Sequence, residues 1–308
     1  MLQNFIEKEN IGTLLKNVSL KTKTSFRIGG TAKYFIEVSS VLALIKLIKF
    51  LKENNLKYFV IGKGTNLLFS DEYFDTIFIS LNKLNKSIKI TSDKYFVEAG
   101  CCSIKFGKKM VKLGFKDAIH LALIPGSIGG MVYMNASAFN HSMKDIVYKV
   151  MYITKDGILK SITSSFGFDY RTSVFQTMDV IIVGVYLHFK IKNEEAKNLY
   201  HKYLSIKKTT QPINSYNAGS IFRNLKDIEV WKLIDALGFR GYVIGGAKVS
   251  NIHTNFFINF NHSSFNEMYQ LIYFVKRKVE EKFQINLTPE IKIITKNNIS
   301  PLQKKELE

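Results

Sequence analysis

Cysteine is nearly absent from this 308-residue chain: Cys101 and Cys102 stand side by side and alone. There is therefore no disulfide framework and no CxxC repeat, which reads as a protein of a reducing compartment. Long apolar runs are missing too. Residues 41–51 are broken by Lys46 and Lys49, and residues 180–189 are only strand length. Neither approaches the roughly 20 residues that span a bilayer. Met1 to Lys8 lacks a basic head followed by an apolar stretch, so no signal peptide is visible. The six histidines (His120, His141, His188, His201, His253, His262) form no HExxH and no short-spaced pair, so no metal site is expected.

Arginine is scarce as well, and that bears on the charge. Lys+Arg total 44 against 25 Asp+Glu, a formal net charge of +19, which invites a nucleic-acid reading. Only Arg27, Arg171, Arg223, Arg240 and Arg277 carry the planar fork suited to phosphate and guanine. The lysines are scattered with no block of five or six. The charge is expected to be a solvated, lysine-rich background that still attracts anionic ligands, with no nucleic-acid partner and no membrane. At 46% hydrophobic the chain has ample material for a core, and its length predicts roughly two domains. A soluble, basic, cytoplasmic protein is the expectation.

Local patterns predict an α+β chain. A strand over residues 34–38 leads to Ser40, a helix cap, and then Leu42, Ile45, Ile48 and Leu51 recur at three-residue spacing. A strand at 58–61 follows, completing a β-α-β unit. Short strands are expected at 76–80, 88–91 and 95–98, and a helix at 103–113. Further strands are expected at 147–154 and 159–162, turning at Lys155-Asp156-Gly157. A last apolar strand at 180–189 ends the first half. The lysine-, glutamate- and asparagine-rich stretch 190–210 reads as an exposed connecting helix. Beyond it are a helix at 230–237, a strand at 255–259, and a long helix at 264–283 with Met268, Leu271, Ile272, Val275 and Val279 on one face. Residues 303–308 are expected to fray.

Two glycine-rich turns follow predicted elements: Gly62-Lys63-Gly64-Thr65-Asn66-Leu67-Leu68 and Ile124-Pro125-Gly126-Ser127-Ile128-Gly129-Gly130. Without a Cβ the backbone can bring successive N–H groups close to an anion. The first has Leu67 where a third glycine of the dinucleotide fingerprint belongs, and neither is a P-loop. Together they point to a phosphate-bearing cofactor outside the Rossmann type.

These turns belong to a longer series. It begins at Arg27-Ile28-Gly29-Gly30-x-Ala32 and, after the two turns, passes through Met134-Asn135-Ala136, Asp169-Tyr170-Arg171-x-Ser173-x-Phe175 and Gln211-Pro212. It continues through Ala218-Gly219-Ser220-x-Phe222-Arg223-Asn224, Gly245-Gly246-Ala247-x-Val249-Ser250-x-x-His253 and Leu287-Thr288-Pro289-Glu290-Ile291. In order and spacing the series resembles the UDP-N-acetylenolpyruvoylglucosamine reductase (MurB) family, from about residue 20 to 294. The resemblance implies a two-part FAD-binding domain of the PCMH (vanillyl-alcohol-oxidase-like) type over residues 1–195. A smaller α+β substrate-binding domain would occupy residues 196–308.

The implied reaction reduces UDP-N-acetylglucosamine enolpyruvate to UDP-N-acetylmuramate, a cell-wall precursor, with FAD as cofactor and NADPH as co-substrate. Carried over residue by residue, the catalytic set is Arg171 for the carboxylate, Ser220 as proton donor and Glu290 assisting at the carboxylate. The implied cofactor set is Arg27, Gly62, Gly64, Thr65, Asn66, Leu67, Pro125, Gly126, Ser127, Gly129, Gly130 and Asn135. Substrate would also meet Tyr170 and Asn224. The short segment between Phe189 and Gln211 matches the subtype lacking the tyrosine loop, and a monomer is expected. The chain departs from the family pattern at Leu123, Ser137 and Asn140, each where a glycine is usual, and at Leu225, where proline is usual. Two other readings stand beside this one: another FAD oxidoreductase on the same fold, or a non-catalytic basic protein binding nucleotide or nucleic acid.

Overall fold

The computed structural model describes residues 1–299. Helix α1 (Leu2–Lys8) lays Phe5 against Phe50, ring centroids 3.9 Å apart. Strands β1 (Gly12–Ser19) and β2 (Thr31–Val38) pair antiparallel, with Leu15 opposite Phe35. Helix α2 (Val41–Glu53) starts where the Ser40 hydroxyl accepts the Ala43 N–H at 3.1 Å, satisfying one orphan donor of its first turn. Then come β3 (Tyr58–Ile61), β4 (Leu67–Phe69) and β5 (Tyr73–Ser80). Both β2 and β3 run parallel to β5, giving the order β1-β2-β5-β3. A parallel arrangement needs a crossover between strands, and α2 supplies it.

The buried face of α2 is Ala43, Leu44, Leu47, Ile48 and Leu51, whereas Leu42 is 64% exposed. The expected row at three-residue spacing therefore holds only at its end. A repeat of three drifts around a helix of 3.6 residues per turn, so Leu42 rotates out as Ile48 and Leu51 rotate in. On this sheet Phe69 meets Phe59, Phe74 and Phe78 edge-on, centroids 5.7, 6.0 and 5.6 Å apart.

The second layer is built from β6 (Ser87–Lys89), β7 (Lys94–Glu98), helices α3 (Ser103–Lys112), α4 (Ile119–Leu123) and α5 (Ile128–Tyr133), and the small hairpin β8 (Ser137–Ala138)–β9 (His141–Ser142). After α6 (Met143–Ile146) come β10 (Val147–Thr154), β11 (Leu159–Ile162) and β12 (Val180–His188). They form an antiparallel sheet ordered β11-β10-β12-β7-β6. Central β12 is buried without alternation from Val180 to Val185, as a strand covered on both faces must be.

Helix α7 (Ala196–Thr210) corrects the expectation of an exposed connector over residues 190–210. Lys197, Lys202 and Lys208 are exposed, but Tyr200 is buried, and Leu199, Tyr203 and Leu204 pack with it on Val111, Ile119, Ala122 and Leu123. The apolar residues are too sparse to show as a stripe among the lysines, yet they suffice to dock the helix.

In the second half, α8 (Val230–Ala236) precedes the sheet β13 (Val243–Ile244)–β14 (Ala247–Val249)–β15 (Phe257–Asn259). Helix α9 (Phe265–Phe283) begins with a reciprocal cap: Ser264 Oγ accepts from Glu267 N–H, and the Glu267 carboxylate accepts from Ser264 N–H. Met268, Leu271, Ile272, Val275 and Val279 are all buried on one face, as their spacing predicts. Finally β16 (Lys292–Ile294) returns to run parallel to β4, Ile293 opposite Leu68. Phe26, Ile28 and Leu68 share an apolar cluster with Phe222, Val275 and Ile291. The architecture is α+β. No helix among the described residues is long and apolar enough to cross a membrane, and residues 303–308, expected to fray, lie outside the described ones.

Candidate functional site

A cavity of about 890 Å³ opens between the two glycine turns and the second half, near the upper end of the roughly 300–1,000 Å³ of ligand pockets. Its first wall is the turn from β3 to β4. Gly64 there has φ +64°, and a Cβ would stand 2.0 Å from the Lys23 carbonyl oxygen, so only glycine fits. The second wall is the turn from α4 into α5. The Ser103 hydroxyl holds it from behind, 2.6 Å from the Ile124 carbonyl oxygen. The turns close on each other: a Cβ at Gly62 would lie 2.4 Å from Ser127 Oγ.

Of the expected cofactor residues, Gly62, Gly64, Thr65, Asn66, Leu67, Pro125, Gly126, Ser127, Gly129 and Gly130 all line this cavity. Arg27 and Asn135 are not in the lining. The exposed Arg27 guanidinium lies over the Tyr216 ring, 5.7 Å from its centroid. Asn135 is buried with its amide committed: Nδ2 donates to the Asp169 carbonyl at 2.9 Å, and Oδ1 accepts from Lys144 N–H at 3.0 Å. It braces the loop that carries Arg171.

Arg171, Ser220 and Glu290 converge on the cavity from three separate segments. Arg171 sits in a tight loop at φ +54°. Its Nε donates to Glu290 Oε1 at 2.6 Å and its Nη1 donates to Ser137 Oγ at 2.7 Å. Glu290 is fixed through its backbone: its N–H donates to the Ile221 carbonyl at 2.7 Å, and its carbonyl accepts from Asn66 Nδ2 at 3.1 Å. Ser220, one residue before Ile221, follows Gly219 at φ +83° and pairs with Phe256. Asn66 of the first turn thus steadies the strand end carrying Glu290, while Ile221 ties Glu290 to the Ser220 segment.

Burial pushes the Glu290 carboxyl above its ordinary value, with Arg171 and then Arg223 pulling the other way. Desolvation penalises the charged form, so a carboxyl here can keep a proton and donate a hydrogen bond. Tyr170 and Asn224 lie outside the cavity lining and touch each other. Asn224 N–H donates to the Tyr170 hydroxyl at 3.2 Å, and Asn224 Oδ1 accepts from Val230 N–H at the start of α8. Both are exposed, Tyr170 by 44%.

Other residues of the site escaped sequence reasoning. Ser137, a departure from the glycine usual there, holds Arg171. Lys63, Lys108, Lys207, Lys208 and Lys292 join Arg171 in the lining, and among the described residues Glu290 is its sole carboxylate. This electropositive cavity with two closely apposed glycine turns fits an anionic dinucleotide such as FAD. Among the described residues no group of three or more His, Cys, Asp or Glu could hold a metal ion.

Comparison with known proteins matches both halves. Residues 32–163 match a family described as an FAD binding domain, and residues 211–294 match the C-terminal domain of UDP-N-acetylenolpyruvoylglucosamine reductase. The chain is 34% identical to the UDP-N-acetylenolpyruvoylglucosamine reductase of Bacillus subtilis over 96% of its own length and 99% of that protein. It is also 34% identical to the enzyme of that name from Caldanaerobacter subterraneus, over 92% and 94%. In structure it is similar to the Thermus caldophilus UDP-N-acetylenolpyruvylglucosamine reductase, with a TM-score of 0.78 at 26% identity over 91% of this chain and 99% of that one.

Proposed function

The chain belongs to the UDP-N-acetylenolpyruvoylglucosamine reductase family, and on that premise we propose that Arg171, Ser220 and Glu290 carry the family's chemistry here. The protein is an FAD enzyme that uses NADPH to reduce UDP-N-acetylglucosamine enolpyruvate to UDP-N-acetylmuramate, a step in peptidoglycan precursor synthesis. The ten glycine-turn residues of the cavity would hold FAD. When bound there, FAD would supply the redox chemistry, the passage of a hydride equivalent from NADPH to the enolpyruvyl group.

The remaining tasks fall to side chains. Arg171, held by Glu290 and Ser137, offers a fixed cation to the enolpyruvyl carboxylate, whose negative charge grows as the adjacent carbon becomes carbanionic. Glu290, with its proton affinity raised by burial, donates a hydrogen bond on the same side. Ser220 gives its hydroxyl proton to that carbon, completing the lactyl ether. A serine is a weak acid, so the step relies on positioning and on exclusion of bulk water.

Residues 1–195 form the FAD-binding unit and 196–308 the substrate unit in this reading, with β16 crossing back to pair with β4. Tyr170 and Asn224, joined on the outer rim, would meet the more distant part of the UDP-sugar. A cytoplasmic monomer is part of the same proposal.

The observation carrying this reading is the Arg171–Glu290 pair set into the same cavity as Ser220 and both glycine turns. The test is NADPH oxidation by the flavin-loaded protein, followed with and without the enolpyruvyl UDP-sugar. Oxidation that depends on the sugar is expected; sugar-independent oxidation at the same rate overturns the reading.

A further inference from the structure

Lys207 is a cation without a counter-charge in the wall of the cavity. Its side chain reaches inward from α7, and its ammonium donates to the carbonyl of Leu123, the last residue of α4. Among the described residues no carboxylate acts on its charge, which burial alone shifts. Lys208 on its own helix and Lys108 on α3 line the same cavity, whose one lining carboxylate among the described residues, Glu290, is already paired with Arg171; His120 on α4 is a buried imidazole that desolvation keeps neutral. Burying a lone ammonium is costly unless something neutralises it. Its position is also notable, because residue 207 falls between the two matched family segments, 32–163 and 211–294.

Leu123 links this lysine to the second glycine turn, since Ile124-Pro125-Gly126 follow directly. The Leu123 carbonyl satisfies one of the three ammonium protons, leaving two for a ligand. We propose that Lys207 is a further FAD-binding residue, its ammonium compensating the negative charge that the bound dinucleotide brings into the cavity. The inference rests on the FAD reading above. Burial alone holds the Lys207 ammonium down, to a pKa of about 8. An anion nearby favours the protonated form and raises that value. Binding is therefore fully supported below about pH 8, and loses this contribution as pH rises through and beyond it.

The test uses apoprotein titrated with FAD by flavin fluorescence, in the wild type, Lys207→Met, Lys207→Gln and Lys207→Arg. Lys207→Met and Lys207→Gln should each weaken FAD binding by about tenfold to a hundredfold at pH 7, and Lys207→Arg should restore most of it. Wild-type affinity should decline between pH 7 and pH 10, with a flatter profile for Lys207→Met. The apoprotein of Lys207→Met should unfold at the same or a higher temperature than wild type, because an uncompensated buried charge has been removed. A merely structural lysine would show the opposite. Wild-type FAD affinity in both neutral variants overturns the proposal while leaving the FAD reading intact; a wild type that binds no FAD overturns the reading itself. Normal FAD affinity with a raised KM for the UDP-sugar or NADPH assigns the charge to that ligand and also refutes the proposal.

Discussion

Arg171 donates from Nε to Oε1 of Glu290 over 2.6 Å, joining a loop of the first half to a strand end 119 positions later. The two side chains are 18% and 13% exposed. A pair this buried fixes geometry more than it adds stability, and removing Glu290 leaves the guanidinium without one of its acceptors. Ser137 accepts from Nη1 of the same guanidinium, so the cation proposed to meet the substrate carboxylate is held on two sides.

That orientation should make the fork, and not the charge alone, essential. Arg171→Lys keeps the cation but cannot reach Glu290 and Ser137 with parallel donors. We expect kcat/KM for the enolpyruvyl sugar to fall about a hundredfold or more, in the range seen for loss of one preorganised donor. FAD content and the rate of flavin reduction by NADPH should change little. Retention of kcat/KM within threefold would rule out the bidentate role.

Ser220→Ala separates the two half-reactions. Flavin reduction by NADPH needs no proton from Ser220, so stopped-flow bleaching of the flavin should match wild type. Reoxidation by the enolpyruvyl sugar should slow by about 10²–10⁴-fold, the usual worth of a positioned proton donor. Equal slowing of both phases would point to a damaged cavity, not a missing proton.

How far this site could be read in advance depended on whether its signals were local. The α9 stripe is a repeat within one helix, and it is found where its spacing puts it. The glycine turns were legible because backbone approach demands glycine, as the Lys23 carbonyl shows at Gly64. Ser137 was visible only as a departure from a usual glycine; its bond to Arg171 spans 34 positions and leaves no local trace. Lys207 was hidden by abundance, one lysine among many, and only its burial beside Leu123 sets it apart. Asn135 stands in a cofactor motif, and only the structure shows that its amide is committed to Asp169 and Lys144.

The first glycine turn offers a stability test. Gly64→Ala forces a side chain into a left-handed conformation, which costs about 1–2 kcal/mol for an L-residue. The new Cβ would also collide with the Lys23 carbonyl 2.0 Å away, so the whole turn must shift. The urea midpoint of the apoprotein should drop, and copurified flavin should fall with it. Gly126→Ala is the control: its nearest neighbour would be Thr65 Oγ1 at 3.6 Å, ordinary contact, so the midpoint should move far less. Equal loss in both variants would deny the turn its steric explanation.

Glu290 gives a pH prediction whose sign follows from burial. Its carboxyl is raised above the ordinary 4.5, so the folded protein holds this proton more tightly than the unfolded chain does. The resulting stability is full below about pH 4.5 and is lost as pH rises through the folded value. The same proton is the one proposed to be donated toward the substrate carboxylate, so activity should follow the same direction. In wild type, kcat/KM for the enolpyruvyl sugar should fall as pH climbs through that raised value. Glu290→Gln donates at every pH and should flatten this limb, at a level reduced by about tenfold through imperfect geometry. Urea midpoints measured across the same pH range should likewise lose their Glu290-dependent slope in Glu290→Gln. If the wild-type rate instead rises with pH through that interval, Glu290 acts as a carboxylate, and its part is to hold Arg171 and not to donate.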